Sequence, residues 1–99
     1  MRCKFVWDPA KERKNVRKHG VTFYQAASVF RDPNQISIYD EEHSEQEERW
    51  ITLGLDKSGV LRVVVHTFRE ISEDLYEIRI ISARKATKRE AKQYREWNR

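Results

Sequence analysis

Two rhythms of apolar residues run along this chain, and the switches between them mark its elements. Phe23, Ala26, Ala27 and Phe30 recur at the three- and four-residue spacing of one helix face. Thr22-x-x-Gln25 is a capping box that opens this helix, Val21 can staple onto Ala26, and Asp32-Pro33-Asn34 closes it. Ile36 and Ile38 alternate within a strand over 35–39, and Tyr76, Ile78 and Ile80 alternate within another over 75–82. Between them, the apolar stretches 49–55 and 61–69 flank Asp56-Lys57-Ser58-Gly59. Glycine in the last loop position predicts a three-residue hairpin loop with a bulge, Asp56 opposite Val60. That register sets Trp50 across from His66, Thr52 across from Val64 and Gly54 across from Arg62. A loop one residue longer would send each side chain to the other face.

The remaining elements have local signals. Lys4–Trp7 reads as a short first strand. Asp8 caps a helix with Pro9 in its first turn, and Gly20 stops it after Lys18 or His19. Its inward face is thin: Ala10, Val16 and Asn15. Residues 40–48 hold six acids in nine positions, and 70–74 are polar, so both read as loops. Thr87-x-x-Glu90 is a second capping box, opening a last helix to about Asn98 with the stripe Ala91, Tyr94 and Trp97. The expected order is β-α-α-β-β-β-β-α, an α+β fold with an antiparallel sheet packed against helices. Val63, Val65, Ile78 and Ile80 are expected to hold that sheet to the helices.

Ninety-nine residues form one domain, 1–99, burying about two thirds of the unfolded surface. The single cysteine, Cys3, excludes an internal disulfide and fits a reducing cytoplasm. No apolar run reaches the ~20 residues of a membrane span, and the first residues lack the apolar stretch of a signal peptide. The net charge of +4 conceals an uneven spread: residues 1–20 and 83–99 carry +5 each, residues 21–82 carry −6. Basic ends suggest a polyanion surface; an acidic middle suggests a region that meets a basic partner.

Candidate chemistry narrows by elimination. Cys3, His19, His43 and His66 lack ligand-like spacing, so no metal site is expected. The three glycines form no phosphate loop, and no serine sits in a nucleophile elbow. What is left is RNA cleavage by acid–base catalysis without a cofactor. His66 suits proton exchange, Arg69, Arg79 and Arg84 suit a charged phosphorane, and Trp50 can stack on a splayed base. Trp50, Arg62 and His66 share a sheet face in the register above, and Arg79 joins them if its strand turns the Glu77/Arg79 side the same way. Against this, a lone histidine in a strand is more often a satisfied structural residue, and Arg79 beside Glu77 can be a plain surface pair worth under ~1 kcal/mol.

The segments Trp7-Asp8-Pro9-x-Lys11, Asn15-x-x-Lys18-His19-Gly20-Val21, Glu48-Arg49-Trp50-Ile51-x-Leu53-Gly54, Val65-His66-Thr67-x-Arg69 and Arg79-Ile80-Ile81-Ser82-Ala83-Arg84-Lys85-Ala86-Thr87-x-x-Glu90 follow one another along the chain. Together they resemble the BrnT family of toxins from BrnT/BrnA type II toxin–antitoxin modules. The resemblance implies a RelE-like ribonuclease fold and metal-independent mRNA cleavage that inhibits translation. It implies neutralisation by a ribbon-helix-helix antitoxin of BrnA type, with operator DNA read through the antitoxin, and leaves room for a toxin dimer within the complex. Carried over by position, the site uses His66, Arg69, Arg79 and Arg84, with Trp50 and the Lys18-His19 pair beside them on the RNA. The rival reading is a non-catalytic nucleic-acid-binding module, or a degenerate toxin acting only through its partner.

Overall fold

The computed structural model describes residues 2–99. Six strands and three helices follow one another: β1 (Arg2–Val6), α1 (Pro9–His19), α2 (Phe23–Ala27), β2 (Ile36–Tyr39), β3 (Arg49–Leu55), β4 (Leu61–Thr67), β5 (Arg69–Ser72), β6 (Leu75–Lys85) and α3 (Lys88–Trp97). Both expected capping boxes form, Thr22 with Gln25 and Thr87 with Glu90. Asp8 caps α1 by accepting from the Ala10 amide, and Gly20 ends it at φ +68°, a conformation that glycine adopts without strain.

The sheet runs β1-β6-β4-β3-β2, with β5 also beside β6. The β3–β4 hairpin has the expected register: Trp50 faces His66, Thr52 faces Val64 and Gly54 faces Arg62. Gly59 at φ +83° makes the turn, and the Asp56 amide donates to the Val60 carbonyl at 2.9 Å. The α+β architecture is the expected one, with three differences in detail. β1 pairs with β6 in parallel, so the sheet is mixed. β5 occupies most of what reads as a polar loop; its four residues are all exposed and show no alternation to betray it. β6 extends three residues further than expected, with a bulge where its register against β4 shifts between Val65 and His66.

The core is the layer between the sheet and α2 with the helical turn that follows it. Phe23, Ala26 and Val29 pack on Val64, Ile78 and Ile80. Val64 therefore fills the place expected of Val63 and Val65, which point to the other side of the sheet, where α3 crosses. Helix α1 departs from expectation at Ala10 and Val16, which are exposed, Val16 to 40%; of the three residues expected inward, Asn15 is the buried one. β1 covers the edge of β6 only as far as Arg79. Beyond that, the Asn15 carboxamide accepts from the Ala83 amide at 3.0 Å and donates to the Ala83 carbonyl at 2.9 Å. A side-chain amide thus takes the place of a missing strand, satisfying backbone groups that would otherwise be lost in the interior.

Candidate functional site

Residues paired across a strand boundary share a face, so the register sorts the candidate side chains. Trp50, Arg62 and His66 do share a face, as expected, but it is the inner one, under α2. The bulge sets His66 against Ile80, which turns Arg79 to the outer face with Thr67 and Arg49. The expected joining of Arg79 to His66 is therefore corrected: the sheet stands between them. Arg69, paired with Glu77, and Arg84, paired with Val63, also belong to the outer side.

His66 is 3% exposed. Its Nδ1 lies 2.9 Å from the Thr67 carbonyl oxygen, which can only accept, so Nδ1 carries the proton. Nε2 then accepts from the Thr52 hydroxyl at 2.7 Å, and Thr52 Oγ1 receives the Ser37 hydroxyl at 2.7 Å. The edge of Phe30 closes over the ring, with centroids 4.8 Å apart. Burial holds the pKa of His66 below its ordinary value, the Thr67 hydrogen bond opposing it more weakly. The result is a neutral, fully bonded imidazole tying β4 to β3 and β2.

The other inner candidates are also engaged. Arg62 Nε donates to Asp56 Oδ2 at 2.9 Å, beneath the β3–β4 turn. Burial would raise the Asp56 pKa, but hydrogen bonds from Ser58, Arg62 and Val60 outweigh it and hold the carboxyl below its usual range. Arg62 is thus a strut of the hairpin. Trp50 packs edge-on against Tyr39, centroids 5.3 Å apart, and its indole Nε1 is buried without a hydrogen-bond partner.

On the outer side, Arg69 and Arg79 come together in an open depression of about 490 Å³ shared with Thr67, Phe68 and the carboxylates Glu47, Glu48 and Glu77. Arg69 Nε donates to Glu77 at 3.0 Å, and Arg79 is ion-paired with Glu47. The Arg79 amide also faces the Thr67 hydroxyl, at 3.4 Å. Arg49 lies across from Thr67, its Nε buried and unpartnered. The sequence reading gave Arg49, Glu47 and Glu48 no place in a site, although the hairpin register already set Arg49 opposite Thr67; it named Glu77 as a surface partner of Arg79, whereas Glu77 pairs with Arg69 and Arg79 with Glu47.

A basic groove of about 710 Å³ lies further along β6, between its open edge and α1, lined by Lys11, Lys14, Arg17, Lys18 and His19 over Ile81 and Ser82. Among the described residues no carboxylate lines it. Lys18 and His19 are therefore in one electropositive surface, away from Trp50 and Arg62. β6 links the two regions, giving Glu77 and Arg79 to the depression and Ile81 and Ser82 to the groove. Arg84 stands apart at the α3 end, forked onto Glu90 at 2.8 and 2.9 Å. That pair raises the pKa of Arg84 and pulls Glu90 down to about 2. Glu90 also accepts from the Thr87 amide, so Arg84 secures the start of α3.

Chemically, the outer depression can offer two guanidinium forks to a phosphate and a carboxylate to a nearby proton. Among the described residues no three His, Cys, Asp or Glu side chains are grouped to hold a metal ion, and no helix is long and apolar enough to cross a membrane. Residues 7–90 match the family described as ribonuclease toxin, BrnT, of type II toxin–antitoxin system. No curated protein sequence matches the chain. The fold is similar to the crystal structure of the Brucella abortus ribonuclease toxin, BrnT, with a TM-score of 0.59 and 18% identity over 89% of this chain and 100% of that one.

Proposed function

The chain belongs to the BrnT ribonuclease toxins of type II toxin–antitoxin systems, and from that premise we propose that it cleaves mRNA on the outer face of its sheet and so inhibits translation. The observation that carries this reading is the meeting of Arg69 and Arg79 with three glutamates in one open depression, on the same strand, β6, that lines the groove of Lys11, Lys14, Arg17 and Lys18. The groove takes the RNA backbone through Lys18, His19 and their neighbours, an electrostatic and salt-sensitive contact.

The chemistry uses groups of the chain and of the RNA, with no metal or cofactor in any step. A phosphate entering the depression takes the Arg79 fork from Glu47. The released carboxylate stays beside the phosphate and accepts the proton of the RNA 2′-hydroxyl. That oxygen attacks phosphorus, Arg69 and Arg79 stabilise the added charge, the bond to the 5′-oxygen breaks, and solvent supplies the proton it needs. His66 is a positioning residue: it holds the Thr67 carbonyl from below and so fixes the strand whose outer side carries Thr67. Arg84 positions α3 at the rim. A general base contributes ~10²–10⁴-fold in such reactions, which leaves binding and charge stabilisation to the arginines.

The second reading, binding without turnover, is favoured by the ion pairs that occupy both arginines in the free protein. Purified protein incubated with mRNA discriminates between the two. Discrete cuts that fall ~10²–10³-fold in Arg79→Ala are expected. Bound but uncut RNA would support the second reading, and full cutting by Arg79→Ala would remove the depression from the chemistry.

The family also carries an antitoxin partner. In this proposal it is a ribbon-helix-helix protein of BrnA type, whose basic segment meets the acidic stretch 40–48 and covers the depression. The complex holds a toxin dimer and represses its own operon, with DNA read by the antitoxin. Weakening of the complex by salt tests the electrostatic share.

A further inference from the structure

The inner side of the sheet holds a cavity of about 240 Å³ that no part of the proposed chemistry uses. Cys3, Phe30, Trp50, Phe68 and Ile78 line it together with His66, Gln35 and Ser37. We propose that this cavity is a site for a single nucleobase; as a base of the RNA substrate, it rests on the nuclease reading above.

Four observations point to that occupant. The volume is below the ~300 Å³ from which pockets for drug-sized ligands begin, and suits one flat ring system. The walls are aromatic, the surface on which bases stack whatever their sequence. The polar groups are few. Gln35 spends its amide protons on the Phe30 and Asp32 carbonyls, leaving Oε1 as an acceptor. Ser37 donates along the Thr52–His66 chain, leaving its oxygen to accept. Two acceptors among aromatic walls suit the N–H groups on the edge of a base. Finally, Phe68 is the residue that the linings of this cavity and of the depression of Arg69 and Arg79 share.

The test uses nucleosides, which carry no phosphate and so are not drawn to the basic groove. Full-length protein is titrated with adenosine, guanosine, cytidine and uridine while the three indole N–H signals are followed by NMR. One nucleoside is expected to move the Trp50 signal saturably, leaving Trp7 and Trp97 in place. Cys3→Leu, which adds bulk to the cavity lining, should abolish the shift while the amide spectrum stays dispersed. Phe30→Leu, which removes an aromatic wall and keeps the Trp50 reporter, should weaken binding about tenfold through lost stacking, and it decides the matter if Cys3→Leu does not fold. Relative cutting rates across a mixed-sequence RNA then identify the source of the base. A flattened sequence preference in Cys3→Leu assigns it to the substrate. An unchanged preference with nucleoside binding lost assigns it to a free nucleoside or nucleotide. No Trp50 shift with any nucleoside at millimolar concentration overturns the proposal. Failure of the wild-type protein to cut RNA overturns only the nuclease reading, because the nucleoside titration does not depend on cleavage.

Discussion

His66 and Thr67 are consecutive residues of β4, and they belong to two different environments. On the His66 side, Phe30 closes over a neutral imidazole whose two nitrogens are both bonded, and the neighbouring arginine, Arg62, is locked to Asp56. On the Thr67 side, Arg69 and Arg79 stand with three glutamates at an open surface, paired with Glu77 and Glu47 in solvent-exposed ion pairs. The same strand thus separates polar groups whose bonding is complete, and which stabilise, from polar groups whose bonding is exchangeable, and which can act. Titratability alone does not mark a site. Solvent access and a partner that can be displaced do.

The two sides should respond oppositely to substitution. The largest effect is expected from Arg79→Ala: cleavage falls ~10²–10³-fold while the urea midpoint hardly moves. His66→Ala should do the reverse, costing about 2–4 kcal/mol in urea unfolding through a void and a stranded Thr52 hydroxyl. At a temperature where the variant remains folded, its cleavage should stay within about tenfold of wild type, as suits a group outside the reacting shell. Thr52→Val leaves His66 Nε2 without its donor and should cost about 1–2 kcal/mol.

A titration of stability sharpens the contrast further. The folded pKa of His66 lies below its ordinary value, so the unfolded chain binds the proton more readily. Stability is then full above the unfolded pKa near 6.5 and declines as pH falls below it, and His66→Gln should remove that decline. Glu90, held at about 2 against its ordinary value near 4.5, gives a second loss as pH falls from 4.5 toward 2, and Arg84→Ala should diminish it. With Arg84 partly exposed, about 1 kcal/mol is expected there. The smallest effect belongs to the groove. Lys18→Gln should lower the salt dependence of single-stranded RNA binding by about 0.7 in the log–log slope, and an unchanged slope would place the RNA elsewhere.

Much of this was legible in the chain, and the exceptions have physical reasons. Gly59 fixed the hairpin register, because a positive φ at that position selects one loop. Thr22 and Thr87 announced their helices through reciprocal caps. Which face lies inward was hidden, because Val63, Val64 and Val65 form an unbroken apolar run that is covered on both sides, Val64 by the core and Val63 near α3. The bulge that turns Arg79 outward carries no glycine to announce it. Asn15 was placed on the inward face of its helix, but its role was hidden, because completing the hydrogen bonds of β6 depends on where β1 ends along that strand. The arginines stood out as candidates to bind a phosphate, whereas the pairing of Arg79 with Glu47, 32 residues away, depended on a fold not yet known.

The most direct measurement is the single-turnover cleavage rate of one RNA by wild type, Arg79→Ala and His66→Gln under conditions where all three are fully folded. The account predicts a loss of at least about a hundredfold for Arg79→Ala and a rate for His66→Gln within about tenfold of wild type. A hundredfold loss for His66→Gln beside a nearly unaffected Arg79→Ala would contradict it, and would move the chemistry to the inner face of the sheet.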